Sequence, residues 1–286
     1  MKILQLSDPH FGTAQPAVMQ ALRSLVQAQR PDMLVLSGDI TQRASEQQFA
    51  EAKAYCDSLR IGLLLALPGN HDIPLFNVYK RLFSPYGDYL QAFGPVIEAT
   101  LNTAEALVIG VNTTRRWRHK NGEVSNRQIS RVVKQLEASA PGQLRVVVVH
   151  QPVHVLRAED EHDRLRNWQP AVRAWSAAGA DIIMGGHIHL PYVCDLSSQL
   201  SSLARRTWCV QAGTALSSRV RQGVPNSVNL LKYDFAAQSL SPLLCDVERW
   251  NYQASDKPDH QAAGGQFARV KTFRLVLDRS ALAVCR

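Results

Sequence analysis

Five short apolar runs in the chain each end in side chains that can ligate a metal or move a proton. Ile3–Leu6 runs into Ser7-Asp8-Pro9-His10, Met33–Leu36 into Ser37-Gly38-Asp39, and Leu63–Leu67 into Pro68-Gly69-Asn70-His71-Asp72. Val146–Val149 runs into His150, and Ile182–Met184 into Gly185-Gly186-His187-Ile188-His189. Carboxylate, amide and imidazole without cysteine form an oxygen and nitrogen donor set suited to Mn, Fe, Zn, Co or Mg. A lone Gly-Asp is ordinarily a turn, and a lone His after a strand is ordinarily a hydrogen-bonded surface or core residue. Five such ends in one chain, in the order Asp-x-His, Gly-Asp, Gly-Asn-His-Asp, His, Gly-His-x-His, point instead to one metal site, whose glycines let the backbone approach packed ligands.

Such a site needs strands that end together. The apolar runs, with Leu107–Val111, Trp208–Val210 and Val228–Leu231, read as buried strands. Between the first two, Val18, Ala21, Leu22, Leu25 and Val26 keep helical spacing, and Pro31 marks the exit. Ser45-Glu46-Gln47-Gln48 has the form of a capping box before the stripe Phe49, Ala52, Cys56, Leu59. Ser125-Asn126-Arg127-Gln128 repeats that form before Ile129, Val132, Val133 and Leu136, and Trp168–Ala178 reads as a helix ending at Gly179. Helices and strands interleave as in βαβ units, giving an α/β class with ligands at the carboxyl edge of the strands. Residues 73–99, with Leu75, Phe76, Tyr79, Leu82 and Phe83 between Pro74 and Pro85, are expected to form a helical cap over the sheet end. Residues 190–206 are expected to be an insertion, 256–265 a loop and 267–277 one more strand. The expected organisation is a domain over 1–250 with a C-terminal extension, 251–286, packed on it.

With 45% hydrophobic and 20% charged residues, the 286-residue chain has the make-up of a globular protein, which excludes disorder, collagen and coiled coil. No apolar run approaches the roughly 18 residues of a membrane span, and Met1-Lys2-Ile3-Leu4 leads into a strand, so a soluble, cytoplasmic protein is expected. Five cysteines without a CxxC pair suggest reduced, mostly buried thiols. The net charge of +8 calls for an anionic partner: nucleic acid, nucleotide, phosphoester or membrane surface. A basic stretch after Asn112 gathers Arg115, Arg116, Arg118, His119 and Lys120 around Trp117, either to meet a phosphate or base or as a solvated loop.

Over roughly residues 1–235 the order and spacing of these motifs resemble the calcineurin-like metallophosphoesterase superfamily. Asp-Pro-His, Gly-Asn-His-Asp and Gly-His-Ile-His look most similar to its bacterial branch of class III cyclic nucleotide phosphodiesterases and glycerophosphodiesterases. The resemblance implies a four-layer αββα sandwich with the active site at strand carboxyl ends. It implies one metal on Asp8, His10, Asp39 and His189, and a second sharing Asp39 with Asn70, His150 and His187. Two divalent ions, Mn, Fe, Zn or Co, would carry about +4 against two carboxylates and so attract a phosphoester. His71 is then the candidate to serve the leaving oxygen, and Asp72 either orients an imidazole or caps a loop. Gly213–Arg221 resembles a segment bordering the site, which makes Arg219 and Arg221, with Arg115 and Arg116, candidate substrate contacts; His154 either lines the cleft or belongs to a loop. The implied activity is hydrolysis of small anionic phosphodiesters such as cyclic nucleotides. Phosphomonoesterase and nuclease readings use the same site, and a non-enzymatic binding scaffold is the third alternative; the oligomeric state stays open.

Overall fold

The computed structural model describes residues 1–118, 120–201, 203–236, 243–255 and 265–279. Its first half runs β1 (Lys2–Leu6), α1 (Pro16–Gln29), β2 (Met33–Ser37), α2 (Glu46–Ser58), β3 (Leu63–Leu67), α3 (Val78–Phe83), α4 (Gly87–Phe93), β4 (Thr100–Asn102) and β5 (Ala106–Gly110). The second half runs α5 (Asn126–Glu137), β6 (Leu144–Val148), α6 (Trp168–Ala178), β7 (Ile182–Gly185), β8 (Tyr192–Asp195), β9 (Trp208–Gln211), β10 (Ser227–Tyr233), β11 (Leu243–Gln253) and β12 (Gln266–Leu277).

The strands form two six-stranded mixed sheets, in the orders β12-β11-β10-β1-β2-β3 and β4-β5-β6-β7-β9-β8. Alternate residues of each apolar run face opposite ways, which is why the runs are continuous. Ile3, Met33, Val35, Val146, Val148, Ile182 and Met184 fill the space between the sheets. Leu4, Leu6, Leu34 and Leu36 pack outward with Val18, Leu22 and Phe49 of the helices, and Val147 and Ile183 pack outward with Val132, Val172 and Trp175. The result is the four-layer αββα sandwich. Both predicted caps form, though unequally. Ser125 and Gln128 make the full reciprocal box. Ser45 accepts from the Gln48 N–H, but the Gln48 side chain turns to the Arg43 N–H at 2.9 Å.

Two expectations need correction. Residues 190–206 contain an edge strand: β8 pairs antiparallel with β9, and Leu196 and Leu200 are buried beyond it. The expected boundary at 250 falls inside β11, which pairs with β10 on one side and along its length with β12 on the other. Polar residues Asp246 and Glu248 alternate there with buried Cys245 and Val247, so no continuous apolar run marks the strand. The cap over 73–99 is two short helices that differ: α4 buries Tyr89 against Phe49, while α3 buries none of its side chains. His119, Cys285 and most of the loop expected at 256–265 lie outside the described residues. The other cysteines, Cys56, Cys194, Cys209 and Cys245, are free, all but Cys194 buried.

Candidate metal centre

Strand register brings the seven ligand candidates together. In the first sheet Leu6 lies level with Leu36, and Ser37 with Leu67. The chains stay paired beyond the sheet, with Asp8 N–H donating to the Gly38 carbonyl at 3.0 Å and His10 N–H to that of Asp39 at 3.1 Å. In the second sheet Val148 lies level with Met184, and Gly186 N–H donates to the His150 carbonyl at 2.8 Å. Gln5 Nε2 joins the sheets, donating to Ser37 Oγ at 3.1 Å and to the Gly185 carbonyl at 3.0 Å. Two glycines permit the closeness. Gly38 has φ +100° and a Cβ there would meet His150 Nδ1 at 2.2 Å; a Cβ on Gly186 would meet Ser7 Oγ at 1.8 Å.

Two groups of donors result, Asp8–His10–His189 and Asp39–His150–His187, each with its ligand atoms within 4.8 Å of one another. In the first, His189 Nε2 lies 3.3 Å from both Asp8 Oδ1 and His10 Nε2. In the second, His150 Nε2 lies 3.3 Å from Asp39 Oδ1 and 3.2 Å from Asn70 Oδ1, and its ring meets that of His187 at 5.1 Å. Asp39 stands between the groups, its Oδ2 3.9 Å from His10 Nε2.

The chemistry of these donors fits a pair of cations. His150 Nδ1 faces the Ser37 carbonyl at 2.8 Å and His189 Nδ1 that of Arg219 at 2.7 Å. Only an Nδ1–H can satisfy a carbonyl, which leaves Nε2 to ligate, the arrangement usual for metal-bound histidine. Ser7 Oγ and the His187 N–H both donate to Asp8 Oδ2, so Oδ1 is left for a ligand. Buried Asp8 Oδ1 and His187 Nε2 have no hydrogen-bond partner, a cost that coordination removes. The backbone points the same way. Asp8, His10, Asp39, His187 and His189 have φ of 51°, 41°, 49°, 73° and 56°, a region that costs a non-glycine residue roughly 1–2 kcal/mol.

Charge in the centre is self-compensating. Burial would raise the Asp8 and Asp39 carboxyls, yet His189 beside Asp8 and His150 beside Asp39 hold both below the usual carboxylate range. Burial would depress His150, but Asp39 lifts it to about 9, and Asp8 likewise raises His189. His10, with burial dominant, falls to about 4.

His71 stands at the rim, its ring 4.9 Å from that of His10 and its Nδ1 3.1 Å from the Gln42 carbonyl. Its backbone N–H donates to Asp39 Oδ1 at 2.8 Å. Among the candidate arginines only Arg219 reaches it, with NH1 3.2 Å from His71 Nε2. The other three do not contact His71 among the described hydrogen bonds. Arg221 is held by Asp160 and Glu159, Arg115 bonds the Asn112 and Thr114 carbonyls and Gln128, and Arg116 bonds the Leu82 carbonyl. Asp72 orients no imidazole among the described hydrogen bonds. It accepts from the N–H groups of Ile40, Thr41 and Gly69 and from the Thr41 hydroxyl, locking the Asp39 loop to the Asn70 loop. Burial and the Asp39 charge push its carboxyl up to about 7. His154 packs on Tyr192 and joins neither group.

Sequence reasoning missed Asp163. Its Oδ1 lies 3.4 Å from His187 Nε2, and that oxygen is itself buried without a hydrogen-bond partner. The residue follows no strand. It sits in the acidic run Glu159-Asp160-Glu161-His162-Asp163, which reads as a solvated turn, and Arg221 is what anchors that turn beside the site.

A family model described as Calcineurin-like phosphoesterase matches residues 1–191. No curated protein matches the chain in sequence. Among solved structures, a dimetal phosphatase from Danio rerio superposes with a TM-score of 0.64 at 13% identity, over 97% of this chain and 99% of that one. A purple acid phosphatase from yellow lupin, Lupinus luteus, gives 0.69 at 13% identity, over 100% of this chain and 55% of that one. GAP50 of Plasmodium, described as the anchor in the inner membrane complex, gives 0.56 at 11% identity, over 99% and 93%. At these identities the likeness is one of fold.

Proposed function

From the premise that the chain belongs to the calcineurin-like phosphoesterase family, we propose that it is a metal-dependent phosphodiesterase acting on small phosphodiesters, cyclic nucleotides foremost, in the manner of the bacterial class III branch. The observation that carries this reading is the pairing of two complete donor groups across Asp39, with His71 and Arg219 at their open rim. Asp8, His10, Asp39 and His189 would hold one divalent ion, and Asp39, Asn70, His150 and His187 the other. When bound, such a pair supplies Lewis acidity toward a phosphoryl oxygen and activation of a water for in-line attack.

The chain's own residues supply the rest. Nδ1–H of His71 donates to the Gln42 carbonyl, which fixes the ring and leaves Nε2 to exchange a proton with the leaving oxygen. Arg219 offers a fork of N–H donors to a non-bridging phosphate oxygen next to that nitrogen. Asp39 would hold both ions and fixes the backbone of His71, which would keep metal and proton donor in one geometry.

Hydrolysis of bis(p-nitrophenyl) phosphate and p-nitrophenyl phosphate, with and without added manganese, tests the proposal, followed by cyclic AMP, glycerophosphodiesters, nucleoside monophosphates and single-stranded DNA at matched salt. Manganese-dependent turnover of cyclic AMP or the glycerophosphodiesters is the expected result. Turnover of monoesters alone makes the protein a phosphatase; DNA cleavage with inert small diesters makes it a nuclease.

A further inference from the structure

The residues that follow the Asn70-His71-Asp72 turn carry a surface that the metal centre does not explain. Phe76, Tyr79 and Phe83 are 74%, 74% and 73% exposed, and Leu75, Val78 and Leu82 between them are exposed as well. A six-residue helix with no buried face gains nothing from packing. Polar bonds hold it. Asn77 caps it by accepting from the Lys80 N–H at 2.9 Å, and Lys80 pairs with Asp88 at 2.9 Å. Arg81 donates to the carbonyls of Pro74 and Arg118, and Arg116 donates to that of Leu82. These bonds join α3 to the basic loop, so Trp117, 68% exposed, belongs to the same surface.

That surface borders the metal centre. The Arg43 guanidinium lies over the Phe76 ring at 5.3 Å, and Arg43 follows Gln42, whose carbonyl faces His71. The basic loop is tied in from the other side, where the Lys120 carbonyl accepts from Gln151, the neighbour of His150.

An exposed apolar patch of this kind marks an interaction, and its charge says with what. Among the described residues Arg43, Arg81 and Arg116 make no ion pair with a carboxylate, so the patch presents apolar groups and positive charge together. In a symmetric contact with a second copy these guanidinium groups would face their own counterparts. A nucleic-acid strand would use the rings and the cations but has no use for Leu75, Val78 and Leu82. An anionic bilayer uses all of them: aliphatic and aromatic side chains enter the headgroup boundary while arginines meet lipid phosphates. The net charge of +8 favours the same partner at longer range.

We propose that residues 75–83, with Trp117, form a peripheral docking surface for an anionic lipid bilayer, which sets the metal-ligand edge of the sandwich at the membrane. Docking would be peripheral, since no helix among the described residues is long and apolar enough to cross a membrane. The proposal is read from binding alone and stands apart from the choice of phosphoester.

The test is co-sedimentation of the full chain with phosphatidylcholine vesicles, with and without phosphatidylglycerol as about a third of the lipid. The chain is expected to partition at least roughly tenfold better onto the anionic vesicles, and less so as salt rises. A Phe76→Ser, Tyr79→Ser, Phe83→Ser variant should lose roughly tenfold or more of that binding with its thermal midpoint unchanged, because the side chains touch solvent. Were the midpoint to drop, Tyr79→Ser alone serves in its place. Vesicles should shift the tryptophan emission to the blue in the parent chain and much less in Trp117→Phe. Equal binding to neutral vesicles, or undiminished binding by the serine variants, overturns the proposal. So does a dimer that the serine variant abolishes while vesicles are ignored, and so does capture of a single-stranded oligonucleotide in preference to vesicles.

Discussion

The Arg219 guanidinium lies 3.2 Å from Nε2 of His71 and 3.0 Å from Oε1 of Gln42, while the Gln42 carbonyl faces Nδ1 of the same imidazole at 3.1 Å. One ring nitrogen is thereby pinned, and the other is left next to a cation that suits a phosphate oxygen. Under the proposed function this would divide the labour at the rim into proton delivery by His71 and phosphate positioning by Arg219, two roles with different kinetic signatures.

His71→Ala should lower kcat by roughly 10²- to 10⁴-fold for a diester with an alkoxide leaving group, and much less for nitrophenolate, which leaves without a proton. Metal content should stay the same. Equal losses for the two leaving groups would remove the proton-donor role.

Arg219→Ala should mainly raise KM, as expected of a contact made equally in the ground and transition states. Arg219→Lys should recover only part of it, because a lysine cannot present two parallel donors to a phosphate. A fall in kcat with KM unchanged would place the contribution in the transition state instead. Arg221→Ala is the control: its guanidinium holds the 158–163 turn through Asp160, so its loss should act through that turn and not through substrate affinity.

What made the centre legible in sequence is that every ligand follows a strand closely. A parallel register then leaves little freedom in where the side chains go, and runs buried on both faces mark the α/β class, while the four αββα layers are implied by the family resemblance. Asp163 was not legible because a turn places it, and that turn is positioned by the Arg221–Asp160 pair, a contact between residues distant in sequence. The arginines are hard to tell apart in sequence for a related reason. Arg115, Arg116, Arg219 and Arg221 look alike as residues, and only the geometry shows which guanidinium stands beside His71. β11 carries no continuous apolar run, because Asp246 and the buried Glu248 alternate with Cys245 and Val247, so the strand is not marked in sequence.

Asp39→Ala should empty both metal positions, since Asp39 contacts both donor groups. Elemental analysis after equilibration with excess manganese should find the parent chain with about two ions and the variant well below one. Full loading of the variant would refute the bridge.

Asp163→Asn should act on one position only. It lies beside His187 Nε2, the nitrogen left for the ion, and faces neither Asp8 nor His10 among the described contacts, so losing its negative charge should weaken binding of the second ion while the first ion binds as before. Manganese titration followed by electron paramagnetic resonance would separate the two steps. Equal weakening of both would make Asp163 a general structural support.

The centre also sets opposite pH slopes for the stability of the metal-free protein and for the stabilisation that metal adds to it. His150 carries its proton up to about 9, against an ordinary value of 6.5, because the Asp39 carboxylate outweighs its burial. A histidine whose folded value is raised lends stability that is complete below its unfolded value and is lost as pH rises through the folded one. Metal-free protein should therefore melt lower at about pH 9.5 than at about pH 7, and His189, raised in the same direction by Asp8, adds to the loss. Asp72, raised to about 7, gives up most of its contribution before this window opens. A cation, in contrast, binds only the neutral imidazole, so over the same window each proton lost from His150 or His189 removes a competitor and metal affinity rises. The increase in thermal midpoint on adding manganese should consequently grow from pH 7 upward while the metal-free midpoint falls. In Asp39→Asn the carboxylate that retains the His150 proton is gone, so the metal-free slope should flatten; a slope unchanged in that variant would mean that the pH dependence comes from outside the centre.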